Sequence, residues 1–165
     1  MNLTDLGFNI TEKQAELFEK YYEILISYNN SFNLTAITEK SEVYVKHFAD
    51  SLLGAQFING DFIDIGSGGG FPAIPLKIFN PELKATLLEA TGKKCEFLRA
   101  VISELGILNA EVINGRAEEL AHDKFYREKF PFATARAVAP LSSLCEYCLP
   151  FVKKGGRFVA YKGAD

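Results

Sequence analysis

The stretch Phe62-Ile63-Asp64-Ile65-Gly66-Ser67-Gly68-Gly69-Gly70-Phe71-Pro72 constrains this chain most. A short apolar run carries an acid and ends in four glycines within five residues. Glycine supplies backbone with positive φ and lets a ligand approach closely. Proline suits the first position of a helix, where its missing N–H costs nothing. The local expectation is therefore strand, glycine loop and helix, the opening unit of a nucleotide-binding α/β fold.

The rest of the chain agrees in rhythm. Thr11-Glu12-Lys13-Gln14 forms a capping box, and Phe18, Tyr21, Leu25 and Tyr28 give the helix behind it an apolar face. A second helix is expected over 40–56, capped by Thr38 or Ser41, with Tyr44, Phe48 and Leu52 inward. After Gly60, strands are expected at 61–65, 83–89, 110–113, 131–135 and 157–162. Helices fall between them at 72–80, 93–105, 117–121 and 140–151, and Lys153–Gly156 reads as a turn. Such alternation indicates parallel βαβ units. One domain over 1–165 is expected, with an N-terminal helical cap over 1–58 and a Rossmann-like core over 59–165.

Composition limits the class. The 165 residues carry a net charge of −3 and a hydrophobic content of 48%. The acidic balance argues against a non-specific nucleic-acid binder, but not against a local basic patch for a structured RNA. No apolar run approaches a membrane span, and no signal peptide is recognisable, so a cytoplasmic protein without membrane contact is expected. Three cysteines suggest free thiols. Cys145 and Cys148 lie within a helical pattern and read as core residues, with no metal site expected.

Two cofactors compete for the loop. A dinucleotide reading places Gly68, Gly70 and Ala73 on the G-x-G-x-x-G/A pattern. That leaves a nicotinamide-dependent oxidoreductase as an alternative. The spacing Asp64-x-Gly66-x-Gly68-x-Gly70 fits better. An acid at the strand end repels a pyrophosphate but suits the ammonium and sulfonium of S-adenosylmethionine. Glu89, ending the second strand, can accept from ribose hydroxyls, while Ala117 and Glu118 stand where an adenine edge would lie. On the preceding helix, His47 and Asp50 are three residues apart and can point at one ligand. They can equally form a solvated pair.

The residues after the fourth strand narrow the acceptor. Thr134-Ala135-Arg136-Ala137-Val138 stands where an exocyclic-amine methyltransferase carries Asn/Asp-Pro-Pro-aromatic. A pyrimidine-C5 enzyme needs a nucleophilic cysteine, and none lies at a strand mouth. A ring nitrogen such as guanine N7 needs neither.

Several further segments make a resemblance specific. They are Phe32-Asn33-Leu34-Thr35, Val45-Lys46-His47-Phe48-Ala49-Asp50-Ser51-Leu52, Gly92-Lys93-Lys94-Cys95-Glu96-Phe97-Leu98, Gly115-Arg116-Ala117-Glu118-Glu119, Ala135-Arg136-Ala137 and Tyr161-Lys162-Gly163. With the glycine loop, they make the chain resemble the ribosomal small-subunit methyltransferase G family, also called glucose-inhibited division protein B. The resemblance implies a class I S-adenosylmethionine-dependent methyltransferase fold. It also implies methylation of guanine N7 in 16S rRNA, in the decoding-region loop linked to streptomycin sensitivity, around guanine 527 in the usual rRNA numbering. Gly66, Phe71, Ala117, Glu118 and Arg136 fall on cofactor-contacting positions of that family. His47, Asp50, Lys93, Arg116 and Arg136 lie in motifs of its site rim. Arg136 is expected to meet guanine O6 or a phosphate. Lys93 and Arg116 are expected on the RNA backbone, and Lys94 as an ordinary surface charge. The partner is 16S rRNA or the small ribosomal subunit, and a monomer is expected. The resemblance also implies a further helix and an antiparallel strand pair after the fifth strand. Without them that strand is an open edge, and a cofactor-binding but inactive module is a second alternative.

Overall fold

The structure is a computed structural model that describes residues 2–136 and 139–162. Ala137, Val138 and Gly163, which belong to the motifs around Arg136 and Lys162, lie outside the described residues.

Five parallel strands form one sheet in the order β3-β2-β1-β4-β5. They are β1 (Phe62–Ile65), β2 (Ala85–Glu89), β3 (Ala110–Asn114), β4 (Phe130–Arg136) and β5 (Val152–Tyr161). Every residue of β1 and β2 is buried, as expected of parallel strands covered on both faces. The chain runs outward from β1 to β3, then returns to place β4 beside β1. The carboxyl ends of β1 and β4 therefore flank a topological switch point, where open α/β sheets bind ligands.

One face of the sheet carries α1 (Glu12–Phe32), α4 (Ala73–Phe79) and α5 (Gly92–Leu105). Phe62 and Leu87 pack there with Phe18, Tyr21, Phe97 and Leu98. Ile63, Ile65 and Leu88 face the other way, toward α7 (Leu141–Cys148) and Phe151. A short helix, α6 (Ala117–Leu120), follows β3.

The capping box at α1 is present. Gln14 N–H donates to Thr11 Oγ1 at 3.2 Å, and Thr11 N–H to Gln14 Oε1 at 2.8 Å. The next helix departs from its expected form. Its cap is Glu39, whose carboxylate accepts from Glu42 N–H at 2.9 Å, in place of Thr38 or Ser41. It divides into α2 (Lys40–Val43), a π-helical segment (Tyr44–Ala49) and α3 (Asp50–Leu53). Pro72 is the residue before α4 rather than its first member. The turn expected at Lys153–Gly156 is instead a bulge inside β5. Phe130 pairs with Val152 while Phe132 pairs with Arg157, and Gly155 takes φ +81°.

Candidate functional site

The glycine loop caps β1. Gly66 N–H and Ser67 N–H both donate to Leu88 O, at 2.8 and 3.1 Å, which ties the loop's start to β2. Glu89 ties its middle. One carboxylate oxygen accepts from Gly68 N–H at 2.8 Å and the other from Thr91 N–H at 2.8 Å. Tyr21 Oη donates to Gly69 O at 2.5 Å from α1. The cap helix and two strands thus fix the loop's path.

The loop borders two cavities that share Gly66 and Ala90. The larger, about 430 Å³, is bounded by Gly68, Phe71, Glu89, Thr35, Lys94 and Arg136 among others. The smaller, about 290 Å³, is bounded by Gly115, Arg116, Ala117 and Glu118. A Cβ on Gly68 would meet only Gly66 O, at 3.8 Å. The space before the loop is open, and carboxylates stand in both halves. Such a two-part cavity beside a glycine loop fits an elongated nucleoside carrying an amino-acid end.

Three sequence expectations change here. Gly70 borders neither cavity. Its absent side chain makes room for packing, since a Cβ there would come within 2.6 Å of Tyr21 Oη and 2.7 Å of Ile74 Cγ1. Asp64 is fully buried behind the loop and does not face the cavities. Its Oδ1 accepts from Thr134 Oγ1 at 2.7 Å, across the β1–β4 pair, while Oδ2 has no partner among the described residues. Burial pushes its pKa up to about 7, against the smaller opposing pull of Ser67, Thr134 and Arg136. Asp64 is therefore not the exposed anion that the spacing suggested. Finally, Lys94 borders the larger cavity and the exposed Lys93 does not.

Arg136, at the end of β4, gathers the cap residues. Its Nη1 donates to Lys46 O at 3.2 Å and to Asp50 Oδ2 at 3.3 Å. Its Nη2 donates to His47 Nδ1 at 3.1 Å. The guanidinium lies over the Phe71 ring, 4.7 Å from its centroid. The His47 ring lies against Phe71 at 4.5 Å. His47 is 8% exposed, so the solvated-pair reading of His47 and Asp50 does not hold. Burial first, and then the Arg136 charge, lower its pKa to about 4 and keep the imidazole neutral. These contacts leave two of the five Arg136 N–H groups without a partner among the described residues.

Arg136 and His47 also border an open cleft of about 680 Å³ on the other side, with Phe8, Val45, Leu53 and Tyr161. One guanidinium thus belongs to the walls of both spaces. The sequence did not point to Thr35, Lys94 or the Tyr21 clamp. Only the motif Phe32-Asn33-Leu34-Thr35 held a signal for the first. Among the described residues no helix is long and apolar enough to cross a membrane, and no cluster of three or more His, Cys, Asp or Glu is placed to hold a metal.

Comparison with known proteins identifies relatives of this chain. Residues 14–165 match the family model described as rRNA small subunit methyltransferase G. The ribosomal RNA small subunit methyltransferase G of Lactobacillus acidophilus is 48% identical over 169 aligned positions, covering 99% of this chain and 70% of that protein. The protein of the same name from Thermoanaerobacter is 53% identical, covering 92% of this chain and 65% of its own length. Among solved structures, cofactor-bound Rv0187 from MTB aligns with a TM-score of 0.64 at 18% identity, covering 86% of this chain and 64% of that one. The precorrin-6y C5,15-methyltransferase of Geobacter metallireducens aligns at 0.54 and 14%, covering 68% and 60%. These last two likenesses concern the fold. By sequence, fold and loop, the chain belongs to the rRNA small subunit methyltransferase G family, whose cofactor is S-adenosylmethionine.

Proposed function

We propose that this chain methylates N7 of a guanine in 16S rRNA, in the decoding-region loop. The observation that carries the reading is the place of Arg136 in the wall between the glycine-loop cavity and the open cleft. Cofactor and base would meet there.

S-adenosylmethionine supplies a methyl group activated by its sulfonium. Gly66, Gly68, Phe71 and Glu89 would hold its ribose and amino-acid portions, and Ala117 and Glu118 its adenine. Gly70 and Asp64 support the loop from behind. The two free N–H groups of Arg136 suit guanine O6. Taking O6 alone leaves the N7 lone pair free for in-line attack. N7 has no proton to lose, so no general base is required, and His47, held neutral, orients Arg136. Asp50 does the same from the cleft side. Most of the rate then comes from positioning. Lys93 and Arg116 would hold the RNA backbone.

Two of the three thiols offer no nucleophile for a pyrimidine-C5 acceptor. Cys95 and Cys148 are buried, and burial pushes the Cys148 thiol up to about 12.

The test is chemical mapping of N7-methylguanosine in 16S rRNA from a strain lacking the gene. The mark is expected to vanish from that loop and to return with the wild-type gene. Its persistence in the deletion strain would sink the proposal.

A further inference from the structure

The hydrogen-bond chain Arg136–His47–Thr35 has a fixed polarity. Arginine has donors only, so Arg136 Nη2, 3.1 Å from His47 Nδ1, requires a lone pair on that nitrogen. The neutral imidazole then carries its proton on Nε2, a tautomer assigned from the network. Lys46 O, also 3.1 Å from Nδ1, needs no proton from it, because Arg136 Nη1 already donates to that carbonyl. His47 Nε2–H therefore donates to Thr35 Oγ1 at 2.7 Å. Ile37 N–H donates to the same oxygen at 3.0 Å.

A hydroxyl oxygen has two acceptor positions, and these two donors fill both. The Thr35 proton is left with no acceptor among the described residues. Thr35 borders the larger glycine-loop cavity, as do Lys94 and Arg136. One spare O–H at a cavity that two cations also border suits an anionic oxygen that brings no proton of its own. S-adenosylmethionine has one such group, the carboxylate of its amino-acid end.

We propose that Thr35 is a cofactor-binding residue whose hydroxyl, its oxygen saturated by His47 and Ile37, donates to that carboxylate. This deepens the cofactor assignment and rests on it. The role asks for a donor on a β-branched or small scaffold, so serine would serve and valine would not.

Calorimetry on the full chain separates the possibilities. The probes are S-adenosylhomocysteine, which keeps the carboxylate, and 5′-methylthioadenosine, which lacks the whole amino-acid end. Thr35→Val is expected to weaken S-adenosylhomocysteine about 10- to 100-fold, the range for a hydrogen bond to a charged group. It is expected to leave 5′-methylthioadenosine unchanged, and Thr35→Ser to retain most of the affinity for both. A nitrogen-15 spectrum of the imidazole should find the His47 proton on Nε2. The proposal fails if Thr35→Val binds S-adenosylhomocysteine normally, loses both ligands alike, or if the proton sits on Nδ1. A wild-type chain that binds neither ligand would remove the cofactor reading and this inference together. One that binds 5′-methylthioadenosine alone would remove only the carboxylate contact.

Discussion

The guanidinium of Arg136 lies 4.7 Å from the centre of the Phe71 ring, joining the end of β4 to the end of the glycine loop. The contact holds a cation at the boundary of two spaces, and its planarity is part of the fit. Lysine would keep the charge but lose the fork that reaches Lys46 O, Asp50 and His47 together. Arg136→Lys is expected to lower kcat/KM on small ribosomal subunits by about 100-fold or more, since an interaction at the reacting base is lost. Affinity for S-adenosylhomocysteine should fall less than about tenfold. Single-turnover methylation beside calorimetry measures both, and equal losses would contradict the division.

His47 and Asp64 should pull stability in opposite directions with pH. Folded Asp64 keeps its proton up to about 7, while the unfolded carboxylate loses it near 3.8. Its contribution is full at low pH and is lost as the pH rises through that window. Folded His47 stays neutral down to about 4, against an ordinary value of 6.5. Its contribution is full above 6.5 and is lost as the pH falls toward 4. Each slope is at most about 1.4 kcal/mol per pH unit. Urea unfolding from about pH 4 to 7, the span of the two windows, should therefore show Asp64→Asn gaining stability with pH relative to wild type, and His47→Gln losing it. Parallel curves for all three proteins would refute the assignment.

Gly68 and Gly70 should respond differently to the same change. Both have positive φ, +55° and +92°, so alanine is strained at either. Only at Gly70 does the new methyl also collide with Tyr21 and Ile74. Gly70→Ala is expected to cost about 3 kcal/mol or more of stability, through strain and overpacking together. Gly68→Ala should cost about 1–2 kcal/mol and mainly weaken S-adenosylhomocysteine. Denaturant midpoints and calorimetry on the two variants decide this.

Tyr21→Phe removes the donor to Gly69 O while keeping the ring between Phe48 and Phe71. A buried carbonyl loses its partner, at an expected cost of about 1–3 kcal/mol. Faster hydrogen exchange at loop amides such as Gly70 N–H would accompany it. Unchanged exchange there would show that Tyr21 does not hold the loop.

The alternation of strands and helices was legible because buried parallel strands and amphipathic helices leave different apolar periods. Loop, Glu89 and Arg136 were legible as residue types at strand ends. The functions of Asp64 and Gly70 were not, because spacing cannot tell a residue facing a cavity from one packed behind it. Lys93 and Lys94 are neighbours on one helix, and only the direction of α5 separates the exposed one from the one at the cavity. Thr35 was invisible as a donor because its importance arises from Arg136, far along the chain, through the tautomer of His47.

The π-helical turn at Tyr44–Ala49 has a consequence for chain length. Such a turn accommodates one residue more than an α-turn. In an unbroken α-helix, Val43 and Leu52 would point about half a turn apart, yet both are buried. The extra residue keeps the two flanks in phase with the core. It falls within the segment that supplies Lys46 O and His47 to Arg136. Deleting a single residue there would return the segment to ordinary α-helix and shift Lys46 O and His47 away from Arg136, so that an error in length is felt at the cation the segment holds.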